Sequence, residues 1–140
     1  MEIRVMQVKI DWMGKQSFIG YDQKALSLGI SPNIEDKDKF SPPALLLMSL
    51  GSCTGLFIIP SAKSLGIKLE DFDIQLKGVK SNKPPKLFDK IIEEINLVGD
   101  FEGGLAHKIV NEAHKRCFIL KSINPNITIE NIIRVNGQLI

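Results

Sequence analysis

The sequence lacks most of the motifs that mark common catalytic and binding sites. Its 140 residues include two histidines and two cysteines, and they contain no CxxC, HExxH, GxGxxG or Walker-type glycine loop. These absences remove the usual signatures of dithiol redox, zinc-protease, dinucleotide and P-loop sites. The cysteines are far apart and no targeting segment is recognisable, so we expect a reducing, cytoplasmic location.

The sequence also lacks a strong excess of either charge. It has 18 Lys and Arg against 16 Asp and Glu, a net charge of +2, and only 6% aromatic residues. Basic clusters interleaved with aromatic residues are absent, so we expect no nucleic-acid partner. The length suits one domain with a substantial core, and we expect a single domain over residues 1–140.

What the sequence does contain is a long run without charge, Ser41–Ala62. The proline pair Pro42-Pro43 behind a serine predicts a helix start, and Gly66 predicts its end. A helix without a polar face is expected to be buried on all sides. Small residues share one stripe of this helix and predict close approach of another backbone: Ala44, Gly51, Gly55 and Ala62.

Two other interpretations of this run stay open. It is long enough to span a bilayer, which takes about 20 residues, but Ser49, Ser52 and Thr54 dilute it and we expect no membrane partner. Cys53, near its middle, could also simply pack, because free cysteine is among the most buried residue types.

The remaining pattern predicts an α+β fold. Alternating apolar and polar residues predict strands over residues 1–12, 17–21, 25–28, 72–80, 88–98 and 128–135. In the fifth of these, Ile91, Ile95 and Leu97 are the expected buried members. Gly103-Gly104 predicts the start of a second long helix that reaches about Lys121.

The second helix carries the other thiol, Cys117, on an apolar stripe. Both cysteines therefore lie on apolar faces of the only two long helices, and those faces have one core to share. His114 stands one turn before Cys117. Cys53, Cys117 and His114 could together hold a metal ion, but three ligands from two helices make a weak metal site, and we expect none.

The segment from Ser41-Pro42 through Leu45-Leu46-Leu47 to Gly51-Ser52-Cys53-Thr54 resembles the OsmC/Ohr family of osmotically induced and organic hydroperoxide resistance proteins. Ala113-His114-Lys115-Arg116-Cys117 resembles the family's second cysteine. The resemblance implies an OsmC-like α+β fold, with antiparallel sheets around the buried cysteine-bearing helix, in an intertwined homodimer.

The resemblance also implies a thiol-dependent peroxidase that acts on organic or fatty hydroperoxides without a cofactor. Cys53 would attack the peroxide, and Cys117 would then form a disulfide that an external thiol reduces. The expected helix positions agree with these roles. Cys117 is expected near a helix C-terminus, where the helix dipole opposes thiolate formation, whereas the attacking group must be a thiolate.

In the family, an arginine after the first strand assists the thiolate, and a glutamate at the start of the cysteine helix holds that arginine. At the corresponding places this sequence has Lys15 in the first turn and Pro43-Ala44 at the helix start. Arg4 in the first strand is a second candidate cation. The alternative hypothesis is therefore a non-catalytic OsmC-like dimer, with a redox-sensing disulfide or a site for a small hydrophobic ligand.

Overall fold

The computed structural model describes residues 5–140 and divides into two compact units, Met1–Leu46 and Leu47–Ile140. The boundary falls inside the first helix. Arg4 lies outside the described residues, so its role stays a prediction, as does the expectation of a single domain over residues 1–140.

The first unit contains a three-stranded antiparallel sheet in the order β1-β2-β3. Its strands are β1 (Lys9–Trp12), β2 (Phe18–Tyr21) and β3 (Ser27–Ile30). The alternating pattern predicted a first strand over residues 1–12, yet β1 begins only at Lys9. Alternation shows that a segment suits a sheet, but a strand also needs a hydrogen-bonded neighbour. β2 supplies one only for Lys9–Trp12.

Helix α1 (Pro42–Ser64) has the predicted start and end. At its start the Ser41 hydroxyl accepts a hydrogen bond from the Ala44 amide at 3.3 Å. At its end Gly66 adopts φ +71°, and the Ile67 amide donates to the Ala62 carbonyl at 2.9 Å. This left-handed ending satisfies carbonyl groups that the helix itself leaves without partners.

The second unit contains a four-stranded sheet in the order β4-β5-β6-β7. Its strands are β4 (Leu69–Lys80), β5 (Phe88–Gly99), β6 (Thr128–Val135) and β7 (Gln138–Leu139). β5 and β6 are parallel, so the sheet is mixed rather than purely antiparallel as expected. Parallel neighbours need a crossover connection, which the helical segment between them provides. The α+β class is confirmed.

The second helix is broken where a continuous one was predicted. α2 (Gly103–Arg116) ends immediately before Cys117, which has extended backbone angles (φ −67°, ψ 104°). The short α3 (Phe118–Ser122) follows. Apolar residues continue in helical phase across this point, and periodicity alone therefore cannot detect a break of one residue.

Helices α1 and α2 contribute to one apolar cluster on the inner face of the four-stranded sheet. Its fully buried members include Ile58 from α1, Ile95 from β5 and Ile109 from α2. The two glycines of the small stripe of α1 meet side chains of β4, not the backbone that we expected. A Cβ atom added to Gly51 would collide with Leu76, and one added to Gly55 would lie 3.4 Å from Phe72.

Within a single chain, α1 is not buried on all sides, contrary to the expectation. Met48, Leu56 and Ile59 are 48%, 66% and 55% exposed, although Leu50 and Ile58 are fully buried. By length and composition α1 could cross a membrane, since an 18-residue window has a mean hydropathy of 1.8 and is 33% buried. A single helix of this kind is weak evidence, because core helices of soluble proteins have the same composition.

Candidate active site

The structure brings together the two cysteines predicted to be functional. Cys53 lies on α1 and Cys117 at the junction of α2 and α3, and both belong to one buried cluster with Leu50 and Ile91. Both are free thiols. The shared cluster makes the two thiols neighbours, and Cys53 is among the groups that raise the pKa of Cys117.

The two thiols differ in exposure and in protonation. Cys53 keeps 9% of its surface accessible and Cys117 keeps none. Burial raises the pKa of Cys117 above its ordinary value, and the hydrogen bond to Cys53 and the charge of an ionised Cys53 raise it further. The Leu120 amide, which donates to the Cys117 sulfur at 3.4 Å, opposes this shift without reversing it. Cys117 therefore stays a thiol to higher pH.

The reason for that behaviour differs from the sequence-based one. Cys117 was expected inside the last turn of a helix, where the dipole disfavours a thiolate. It instead caps the first turn of α3, where a backbone amide points at its sulfur. Desolvation by the surrounding apolar side chains is the dominant cause of the raised pKa.

A polar cluster that sequence reasoning missed lies beside the thiols. The Thr54 hydroxyl lowers the pKa of Cys117 and donates a hydrogen bond to Oε1 of Glu93 at 3.4 Å. The other oxygen of that carboxyl, Oε2, lies 3.4 Å from Nε2 of His114. Nδ1 of His114 in turn lies 3.4 Å from Nδ2 of Asn131.

A signal for this cluster was present in the sequence. Ile91, Ile95 and Leu97 were expected on the buried face of β5, and residue 93 belongs to the same alternating row. Glu93 is 0% exposed, as are the three apolar members of that row. A carboxylic acid in the middle of such a row indicates that polar partners meet it there, because a buried charge without partners is costly.

The other described candidate, Lys15, lies in the first unit. It forms the turn between β1 and β2 with φ 50°, and its carbonyl accepts a hydrogen bond from the Trp12 indole at 2.8 Å. Its side chain is exposed and borders an open cleft of about 680 Å³ beside Asp36 and Lys39. Its assistance to a thiolate stays a prediction.

Cys53, Cys117 and His114 are the metal ligands that the sequence would offer. Across residues 5–140, no group of three or more His, Cys, Asp and Glu side chains has the arrangement that could hold a metal ion.

Comparison with known proteins decides the family. A family model described as OsmC-like protein matches residues 35–131, which include Cys53, Glu93 and Cys117. The chain belongs to the OsmC-like protein family. A search of curated proteins found no significant match.

Solved structures with the OsmC-like fold cover nearly the whole chain at low sequence identity. An OsmC-like protein from Mycoplasma pneumoniae superposes with a TM-score of 0.85 at 13% identity, covering 94% of this chain and 97% of that one. An organic hydroperoxide resistance protein OsmC from Legionella pneumophila gives 0.75 at 18% identity, covering 96% and 100%. The organic hydroperoxide resistance protein OhrB of Bacillus subtilis gives 0.71 at 17%, covering 94% and 98%. At these identities the likeness establishes the fold.

Proposed function

We propose that the chain is a thiol-dependent peroxidase that reduces organic or fatty hydroperoxides. The observation that carries the proposal is the pair of neighbouring free thiols, one of them 9% exposed and the other fully buried with a raised pKa. The family and the names of the two hydroperoxide resistance proteins above support the substrate class.

The proposed chemistry assigns one step to each thiol. The Cys53 thiolate attacks the outer peroxide oxygen, the O–O bond breaks, and the alcohol leaves with a proton while Cys53 becomes a sulfenic acid. Cys117 then attacks the Cys53 sulfur, which forms the disulfide and releases water. An external thiol reductant exchanges with the disulfide, becomes oxidised and restores both thiols.

Substitution of each cysteine tests these roles. Cys53→Ser should abolish consumption of cumene hydroperoxide or a fatty-acid hydroperoxide in the presence of a dithiol. Cys117→Ser should still consume about one equivalent, because Cys53 can be oxidised once without its partner. Mass spectrometry with a sulfenic-acid probe should place the modification on Cys53. Unchanged turnover in Cys53→Ser would refute the proposal.

The activating cation is a separate part of the proposal, with Lys15 and Arg4 as the candidates. Lys15→Met should slow the reaction of Cys53 with peroxide and leave the later closure of the disulfide unchanged. Lys24→Met, another exposed lysine of the same unit, is the matched control. If peroxide oxidises Cys53 equally fast in Lys15→Met and in wild type, Lys15 is not the activating cation, and Arg4 is the remaining candidate.

We further propose that the protein works as a homodimer. Exposed apolar side chains support this, since Met48, Leu56 and Ile59 are about half exposed or more along one side of α1. Several exposed apolar side chains on one side of a helix are typical of an interface. Light scattering after gel filtration should give twice the 15.6 kDa chain mass. Leu56→Lys should shift the protein towards the monomer, and a monomeric wild type would contradict the proposal.

The neighbouring thiols also suit the non-catalytic alternative, a redox-sensing disulfide. In that case a chemical oxidant such as diamide should close the Cys53–Cys117 disulfide, while organic hydroperoxides should be consumed no faster than by free cysteine. The two hypotheses are separated by the rate of Cys53 oxidation by peroxide.

A further inference from the structure

A fully buried carboxylic acid, hydrogen-bonded to the residue that follows Cys53, has no role in the chemistry above. Glu93 is 0% exposed and stands in the apolar row of β5. Its neighbour Glu94 points to the opposite face, where it lies 3.5 Å from Arg134 and about a third of its side chain is exposed. Adjacent glutamates thus have opposite environments, and only Glu93 requires partners in the core.

The partners of Glu93 connect it to the resolving thiol on one side. The Thr54 hydroxyl has one proton to donate and two lone pairs to accept with. It donates to Glu93 at 3.4 Å, and it is also one of the groups that lower the pKa of Cys117. It can therefore accept a proton from Cys117 while passing its own proton to Glu93.

On the other side Glu93 contacts a partly exposed imidazole. His114 lies 3.4 Å from Glu93 and keeps 15% of its side chain exposed. The Asn131 amide nitrogen is a donor, so Nδ1 of His114 accepts from it and Nε2 carries the hydrogen that faces Glu93. The imidazole thus donates to the buried carboxylate and holds it in place.

Other ionisable groups do not face this carboxyl from its two strand neighbours. In the sheet, Glu93 pairs with Leu76 on β4 and with Asn131 on β6, neither of which titrates. α1 contributes Thr54 and Cys53, α2 contributes His114, and the junction of α2 and α3 contributes Cys117. The titratable groups of the cluster are therefore the two thiols, the carboxyl and the imidazole.

We propose that Thr54 and Glu93 form a proton-transfer path that takes the thiol proton from Cys117 when it attacks Cys53, while His114 orients the Glu93 carboxylate. The inference rests on the proposed resolving role of Cys117. The S–H bond of Cys117 breaks, its proton passes through Thr54 to Glu93, and the sulfur electron pair forms the new S–S bond. The leaving group departs from Cys53 with the bonding pair and, where it is hydroxide, takes up a proton to become water.

The raised pKa of Cys117 explains why such a path is needed. At neutral pH a buried thiol with a raised pKa is almost entirely protonated, and the thiol is a poor nucleophile. A base reached through one hydroxyl group removes the proton at the moment of attack, as general base catalysis requires.

Closure of the disulfide can be measured without any peroxide. Dithiobis(nitrobenzoate) should react first with the more exposed Cys53 and release one thionitrobenzoate. Attack of Cys117 on the resulting mixed disulfide then releases a second thionitrobenzoate and one proton. Cys117→Ser should release only the first. Because this assay needs no hydroperoxide, absence of peroxidase activity and absence of the proton path give different results.

Glu93→Gln, which keeps the size of the side chain, should slow the second release at least about tenfold at neutral pH. Glu94→Gln, on the opposite face of the same strand, is the matched control and should match wild type. The deficit of Glu93→Gln should shrink at alkaline pH, where hydroxide ionises Cys117 directly. An equal deficit at every pH would indicate a merely structural role and overturn the proposal, as would a wild-type rate in Glu93→Gln or no second release in wild type.

Thr54 provides an independent test that does not depend on how well Glu93→Gln folds. Thr54→Val removes the hydroxyl and should show the same pH-dependent loss of the second release. Thr54→Ser keeps the hydroxyl and should restore it. Equal second-release rates in the valine and serine variants would exclude Thr54 from the path.

Discussion

The two faces of α1 have similar apolar composition but opposite surroundings. On the inner face Leu50, Thr54 and Ile58 are 0% exposed against the four-stranded sheet and α2. On the outer face Leu56 and Ile59 are 66% and 55% exposed. The difference shows that the hydrophobicity of a helix predicts how much of its apolar surface needs to be buried. How much of that surface is buried within one chain depends on which other elements pack against the helix. The uncovered face is the reason for the proposed homodimer.

The largest effect should come from the apolar inner face. Ile58→Ala should lower the free energy of unfolding by about 2–5 kcal/mol, because it removes buried methyl groups and leaves a cavity. Chemical denaturation monitored by circular dichroism measures the loss, which should be the same at every protein concentration.

The matched change on the outer face is Leu56→Ala. Its cost should depend on protein concentration, because Leu56 is exposed in one chain and would be covered only in a dimer. A concentration-independent cost as large as that of Ile58→Ala would show that the two faces are equivalent and break the comparison.

The polar residues of the two faces should differ by a smaller amount. Thr54→Val should cost about 1–3 kcal/mol, since it leaves the buried Glu93 carboxyl without one of its hydrogen bonds. Ser52→Ala should be close to neutral, because the exposed Ser52 hydroxyl bonds only carbonyl groups of its own helix, at 2.7 and 3.2 Å. Thermal unfolding of both variants beside wild type measures the contrast.

The smallest effect is a pH dependence of stability that arises from Cys117, which packs in one cluster with Leu50 of the inner face. Its pKa is raised in the folded protein, so the folded state holds the proton more tightly than the unfolded state does. The resulting stabilisation is complete below the unfolded pKa of about 8.5 and is lost as the pH rises through the folded pKa. Unfolding of Cys117→Ala should show a flatter alkaline profile than wild type; identical slopes would contradict the raised pKa.

Sequence reasoning performed best where a local rule operates. The ends of α1 follow from Ser41, the proline pair and Gly66, and β6 has its predicted bounds, Thr128–Val135. It failed where a segment depends on distant neighbours. Within residues 5–12, strand pairing limits β1 to Lys9–Trp12, and α2 ends at Arg116 although the apolar stripe continues.

At the candidate site, the two thiols could be found from the sequence but their polar neighbours could not. Cys53 and Cys117 lie on apolar stripes, and a shared core makes them neighbours. Thr54, Glu93 and His114 come from α1, β5 and α2, and their side chains meet only across the packed interior. Alternation along β5 could place Glu93 on the buried face, but it does not identify the groups that hydrogen-bond to it.

By itself, the sequence determined that this chain has a charge-free helix around Cys53, a second thiol on an apolar stripe and an α+β element order. Those properties follow from residue spacing within single segments, which local backbone geometry converts into faces. Only the tertiary structure decided which face of α1 is covered, that Cys117 sits at a helix break, and which groups surround Glu93. Those features depend on the packing of segments that are distant in sequence. Residue spacing within one segment does not identify the segments that pack against it.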